Sequence, residues 1–243
     1  MQARYLDPET GRFLSMDAVG VSPGQTGSVN GYAYVSNNPI SRIDPSGNYE
    51  RGSGWTDKDW DRFDKAQQRV ASEQKAAATK LFEAAEETAA GGDLSASTRN
   101  TVAAFENVVG AGSASPAALA AAAIAMSDGA KALSAGAGSG FVANAKSALE
   151  WGAMGLSKNG LAAAEVGGSN IYVNTSHSSF HSSSTLRWAA GHESLHTAGL
   201  HDQRIEGHTA YKFDDGGYYF RLLRDREPNR AAVNPDHLTD FVQ

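Results

Sequence analysis

Two histidines four residues apart, with a glutamate after the first, form the stretch best suited to chemistry: His192-Glu193-Ser194-Leu195-His196. On a helix, positions four apart are offset by only about 40° and one turn of rise, so both imidazoles can aim at one metal ion. Glu193 then sits one position round the helix, within reach of a water on that ion. Zinc suits such a pair: it takes imidazole nitrogen at roughly 2.0–2.1 Å and, in catalytic sites, uses three protein ligands and leaves one position open. A water there is acidified to a pKa of about 7, and a neighbouring carboxylate can take its proton as it attacks a carbonyl.

These groups need a helix to carry them. Leu186, Trp188, Ala189, His192, Leu195 and His196 recur at helical spacing, one of Ser182, Ser183 or Ser184 is the expected cap, and Gly199 is the expected stop. Before it, Asn170-Ile171-Tyr172-Val173-Asn174 reads as a short strand. Glycine at position 199 permits a positive φ that turns the chain back under the metal, which brings Asp202 to where a third ligand is required. His201 lies one residue off that register, and His208, Glu206 and His237 are further candidates.

Taken whole, the string HExxHxxGxxD from His192 to Asp202 resembles the metzincin motif in its variant with aspartate as third ligand. The resemblance implies an α+β, zincin-like metallopeptidase domain in which His192, His196 and Asp202 hold Zn2+ and Glu193 is the catalytic base. It also implies a sheet edge that holds the substrate in extended form. Metzincins carry a methionine turn beneath the metal. No methionine follows Met154 here, and Asn234 to Phe241 is similar to such a turn with Thr239 in the methionine's place. Tyr211, Tyr218 and Tyr219 flank Asp214-Asp215-Gly216-Gly217, which is expected to turn a hairpin. One of these hydroxyls is a candidate oxyanion donor, with packing on the hairpin as the alternative. His177 and His181 are also four apart, but in a Ser-rich stretch without apolar periodicity they read as loop residues.

Upstream, the pattern is Ala-rich and helical. Thr56-x-x-Asp59 resembles a capping box, and Trp60, Phe63, Ala66, Val70, Ala77, Leu81, Phe82 and Ala85 predict one long amphipathic helix up to Gly91-Gly92. A shorter helix around Val102, Phe105 and Val109 should end at Gly110, and a third should begin at Ser115-Pro116. Residues 127–168 are rich in Gly, Ala and Ser, with helical pieces expected near Ala143 to Leu156.

The first fifth of the chain is different in kind. Arg4-Tyr5-Leu6-Asp7-Pro8-Glu9-Thr10-Gly11-Arg12-Phe13, Gly31-Tyr32-Ala33-Tyr34-Val35-Ser36-Asn37-Asn38-Pro39-Ile40 and Asp44-Pro45-Ser46-Gly47 read as short aromatic strands between Asp-Pro and Asn-Pro turns. In order, the three strings resemble the end of the RHS-repeat-associated core domain of bacterial polymorphic toxins. That likeness implies a C-terminal RHS remnant at residues 1–48 and a toxin domain at 49–243, with a helical part at 49–166 and a catalytic part at 167–243. The family's self-cleaving aspartate pair maps to Asp17 and Asp44. The first motif lacks its proline (Asp17-Ala18-Val19-Gly20), and Asn48 stands where leucine is usual.

Composition narrows the function. The 243 residues suffice for a sizeable core, cysteine is absent, and the net charge of -6 carries no broad basic footprint for a nucleic-acid coat. The Ala-rich runs are too short and too interrupted to span a bilayer. The expected protein is a secreted effector, delivered into a target cell and acting in its cytoplasm as a zinc-dependent endopeptidase toxin in interbacterial competition. Its expected partners are a protein substrate and a cognate immunity protein, with no nucleic acid and no stable membrane insertion. The alternatives are a non-enzymatic membrane-active toxin and a metal-dependent nuclease toxin.

Overall fold

The long helix anticipated from Thr56 runs from Asp57 to Ala90 (α1), and the Thr56 hydroxyl accepts the Asp59 backbone N–H at its start. The computed structural model describes residues 50–134 and 140–243, together with the backbone of two short strands, Leu6–Asp7 (β1) and Arg12–Phe13 (β2), which pair antiparallel. Asp17, Asp44 and the remaining RHS-like strings lie outside the described residues. After β3 (Glu50–Arg51) and α1 come α2 (Ala96–Val109), which ends at Gly110 as expected, and α3 (Pro116–Ser134), which begins at the expected Pro116.

Beyond α3 the expectation of helix needs correcting. Val142–Lys146 is a strand (β4), and only Ala148–Ala153 is helical (α4). Tertiary pairing overrides alanine's helix preference here, because β4 is an inner strand lying parallel to both β3 and β6. The sheet order is β3-β4-β6-β5, with β6 at Asn170–Asn174 and a short edge strand β5 (Ala162–Ala164) antiparallel to it. One sheet therefore takes strands from both sides of residue 167.

The helix that carries the histidines is α5 (Ser183–Thr197), capped by Ser182. It bridges two hydrophobic clusters. Leu186 and Ala190 pack beneath the sheet with Trp55, Trp60, Phe63, Ile171, Val173 and Phe180. Leu195 packs with Leu81, Phe105, Leu119, Met126 and Leu238 in the helical core. Small residues let the neighbours come close. A Cβ on Gly129 of α3 would meet the Ser194 hydroxyl at 3.0 Å, and one on Gly191 would meet Thr239 and Val70 at 3.3 Å. From α1, the Gln74 amide donates to Ser194 Oγ (2.9 Å) and to the Gly191 carbonyl (3.3 Å).

After α5 the chain forms a small hairpin, β7 (Arg204–Ile205) with β8 (His208–Thr209), then α6 (Tyr218–Arg226), α7 (Pro228–Ala231) and α8 (Pro235–Val242). The hairpin expected around Asp214–Gly217 is instead a 3-10 turn leading into α6, because Gly216 and Gly217 at positive φ reverse the chain directly ahead of helical residues. The methionine-turn-like segment is likewise a helix: Pro235 opens α8, whose Leu238 and Thr239 are buried. The α+β class is therefore observed.

Candidate metal centre

The structure brings together the three side chains singled out on α5 and the turn after it. His192 Nε2 and His196 Nε2 are 3.0 Å apart, and Asp202 Oδ1 lies 3.4 Å from the first and 3.6 Å from the second. Three corners of a tetrahedron with ligands at roughly 2.0–2.1 Å lie about 3.3 Å apart, so these edges fit one small divalent ion. Asp202 Oδ1 is buried and makes no hydrogen bond, which fits an oxygen able to take a cation as partner. Gly199, with φ at +94°, supplies the reversal that carries Asp202 back to the helix.

Each of the three side chains is braced from behind. Asp236 Oδ1 lies 2.7 Å from His192 Nδ1, which leaves Nε2 free to face the metal position. His196 Nδ1 donates to the Leu200 carbonyl (2.8 Å), and Tyr211 Oη donates to Asp202 Oδ2 (2.6 Å). Burial, followed by the Asp202 bond, raises the Tyr211 phenol well above its ordinary value, so it stays a donor. Burial acts to lower His192, but the Asp236 carboxylate close to Nδ1 and the charges of Glu193 and Asp202 outweigh it and hold the ion-free imidazole at about 9. Burial and the charge on His192 lower His196.

Glu193 is buried one position round the helix, and its Oε2 has no hydrogen-bond partner. Burial, with the charge of Asp202 adding to it, raises the carboxyl to about 7 against the pull of His192 and a hydrogen bond from the Ala164 backbone. Edge strand β5 thus reaches the Glu193 carboxylate through its backbone. A group that exchanges a proton near neutrality is suited to general acid/base work.

The other third-ligand candidates are engaged elsewhere or face solvent. His237 is fully buried with both ring nitrogens used: Nδ1 accepts from the Asn234 amide (2.8 Å), and Nε2 donates to the Phe220 carbonyl (3.1 Å). His208 stacks on Tyr219 with ring centroids 4.1 Å apart, Glu206 pairs with Arg226, and His201 is exposed. His177 Nδ1 caps a 3-10 turn and His181 contacts Arg62. Tyr218 and Tyr219 sit at the start of α6, and Tyr211 spends its hydroxyl on Asp202. Sequence reasoning missed Asp236 and the Ala164 backbone. Asp236 stands in the segment noticed for its likeness to a methionine turn, and no local spacing marks it as a partner of His192.

No family model matches the chain, and no solved structure matches it. Curated proteins match part of it. It is similar to the tRNA nuclease WapA of Bacillus subtilis strain 168 and to the tRNA3(Ser)-specific nuclease WapA of Bacillus spizizenii, each 45% identical over 49 residues, which is 20% of this chain and 2% of the relative. The tRNA(Glu)-specific nuclease WapA of Bacillus subtilis subsp. natto is 43% identical over 49 residues, again 20% of this chain and 2% of the relative. The chain therefore covers only a small share of these relatives' length.

These relatives overturn the expected endopeptidase, its protein substrate and the exclusion of nucleic acid, since all three are nucleases. Two physical reasons explain the miss. A metal-binding helix with an adjacent carboxylate fixes an ion, a water and a base, but not whether the electrophile is a carbonyl carbon or a phosphorus. A net charge of -6 describes the long-range field and does not forbid a local site from turning over a nucleic acid.

Proposed function

We propose that this chain is a metal-dependent nuclease toxin whose substrate is RNA of the transfer class. In this reading residues 49–243 are a toxin domain behind an RHS end at residues 1–48, and the protein acts as an effector inside a target cell. The observation that supports the hydrolytic part is the His192–His196–Asp202 triangle, whose Asp202 Oδ1 has no hydrogen-bond partner, beside the buried Glu193. The names of the partial relatives supply the substrate class. Zinc is the proposed ion, on the edge lengths and the two-imidazole, one-carboxylate donor set, and the scaffold is taken as zincin-like in its metal helix and adjoining edge strand.

Zinc held there would acidify a water and draw charge from a phosphate oxygen. With the ion held by His192, His196 and Asp202, Glu193 would take a proton from the attacking water as the new O–P bond forms, and would give it to the ribose oxygen of the departing RNA fragment as the old P–O bond breaks. Asp236 and Tyr211 hold His192 and Asp202 in place through both steps. Among the described residues no helix is long and apolar enough to cross a membrane.

Purified protein loaded with zinc and incubated with bulk tRNA tests this directly. Cleavage should vanish with chelator, return with zinc, and be absent in Glu193→Gln protein that still holds the metal. Intact tRNA, combined with new protein termini in exposed cells, would overturn the nuclease reading.

A further inference from the structure

A large aromatic ring stands in solvent beside the metal centre. Phe213 is 66% exposed, although its neighbours Tyr211 and Lys212 are built into the site's bracing. Tyr211 holds Asp202, and the Lys212 backbone N–H donates to Asp236, the carboxylate behind His192. The residues that position the ligands thus also fix where Phe213 stands.

Its orientation is fixed as well. Trp188 lies one turn before His192 on α5, about 6 Å along the axis on the same face. Its ring meets Phe213 edge to face, with centroids 4.9 Å apart at 71°. The Lys212 ammonium sits 4.7 Å from the Trp188 ring centre and 5.8 Å from that of Phe213, and is anchored by Asp240. The three side chains form a corner: Trp188 and Lys212 contact the Phe213 ring and leave most of it uncovered. Exposed aromatic faces next to a nucleic-acid site are where unpaired bases stack.

Building on the nuclease reading, we propose that Phe213, braced by Trp188 and Lys212, is the stacking platform for an unpaired base of the RNA strand whose phosphate is cut at the metal centre. The platform selects single-stranded or looped RNA, because only there is a base face free to stack. Its contribution is insensitive to salt, unlike that of phosphate contacts.

The test uses the zinc-loaded full chain with a fluorescently labelled single-stranded RNA. Phe213→Ala should weaken binding about tenfold to a hundredfold, raise KM with little change in kcat, and keep the same ratio to wild type between 50 and 200 mM salt on the order of magnitude expected for one stacked base. Phe213→Tyr should restore binding, and an oligonucleotide abasic at the stacked position should bind wild type as weakly as intact RNA binds Phe213→Ala. Cleavage of RNA with an unchanged KM in Phe213→Ala would overturn the platform and leave the nuclease reading standing. RNA bound through Phe213 but never cut would overturn the nuclease reading alone, and RNA neither bound nor cut would overturn both.

Discussion

Replacing Asp236 by asparagine should separate the bracing of the metal site from the ligands themselves. In the native protein one Asp236 oxygen faces His192 Nδ1 at 2.7 Å while the other accepts the Lys212 backbone N–H. An amide has one oxygen where the carboxylate has two. If that oxygen turns to Lys212, the amide N–H faces His192 Nδ1, and the proton moves to the Nε2 that must bind metal. If it turns to His192, the amide N–H confronts the Lys212 N–H. Either arrangement forfeits one buried interaction, and both lose the negative charge that makes His192 a better donor. Loss of such a partner lowers metal affinity by about 10- to 100-fold, or about 1.4–2.8 kcal/mol. Competition against a fluorescent zinc chelator measures it, with denaturant unfolding of the metal-free proteins as the control for folding. Zinc affinity within twofold of wild type, in a variant that folds normally, would refute the assigned role of Asp236.

Three further outcomes follow from the same geometry. Asp202→Ala should abolish tight zinc binding, whereas His201→Ala and His208→Ala should leave it near wild type when measured in the same competition assay. Gly199→Ala forces a side chain into φ +94°, so it should cost about 1 kcal/mol in denaturant unfolding and weaken zinc binding by displacing Asp202. The buried His237, whose imidazole burial pushes down to about 4, should make the protein acid-sensitive. The unfolded chain takes up a proton near pH 6.5 that the folded chain refuses until about pH 4, so stability is full above 6.5 and is lost as pH falls through that window. The loss is about 3 kcal/mol. Unfolding at pH 7.5 and pH 5 should show a flatter dependence for His237→Gln, and identical slopes would remove His237 as the cause.

The legible parts of this fold are those whose cause is local. Thr56, Ser182, the Gly91-Gly92 pair and Gly199 mark helix ends through their own hydrogen bonding or backbone freedom, and each acts where the sequence places it. The His192–His196–Asp202 arrangement was equally open to reading, since a helix turn and one glycine set it. What stayed hidden depends on distant partners. Ala143 and Ala162–Ala164 have the composition of helix and become strand only because β6 offers them a ladder. Asp236 reaches His192 only because Gly191 lets α8 lie against α5. The proposed substrate class was hidden for a chemical reason, because a metal-bound water with an adjacent carboxylate can serve a carbonyl or a phosphoryl centre alike.

The three candidate ligand atoms all come from residues 192–202, as does the Leu200 carbonyl behind His196, whereas the braces of Asp202 and His192 arrive from residues 211 and 236. A segment that short loses little chain entropy when it closes around an ion, so the unfolded protein should retain part of its affinity for zinc. An ion that also binds the unfolded chain stabilises the native state only by the difference between the two affinities. Zinc should therefore raise the unfolding temperature less than its tight binding suggests, and that shortfall measures how much of the affinity belongs to the motif and how much to the fold around it.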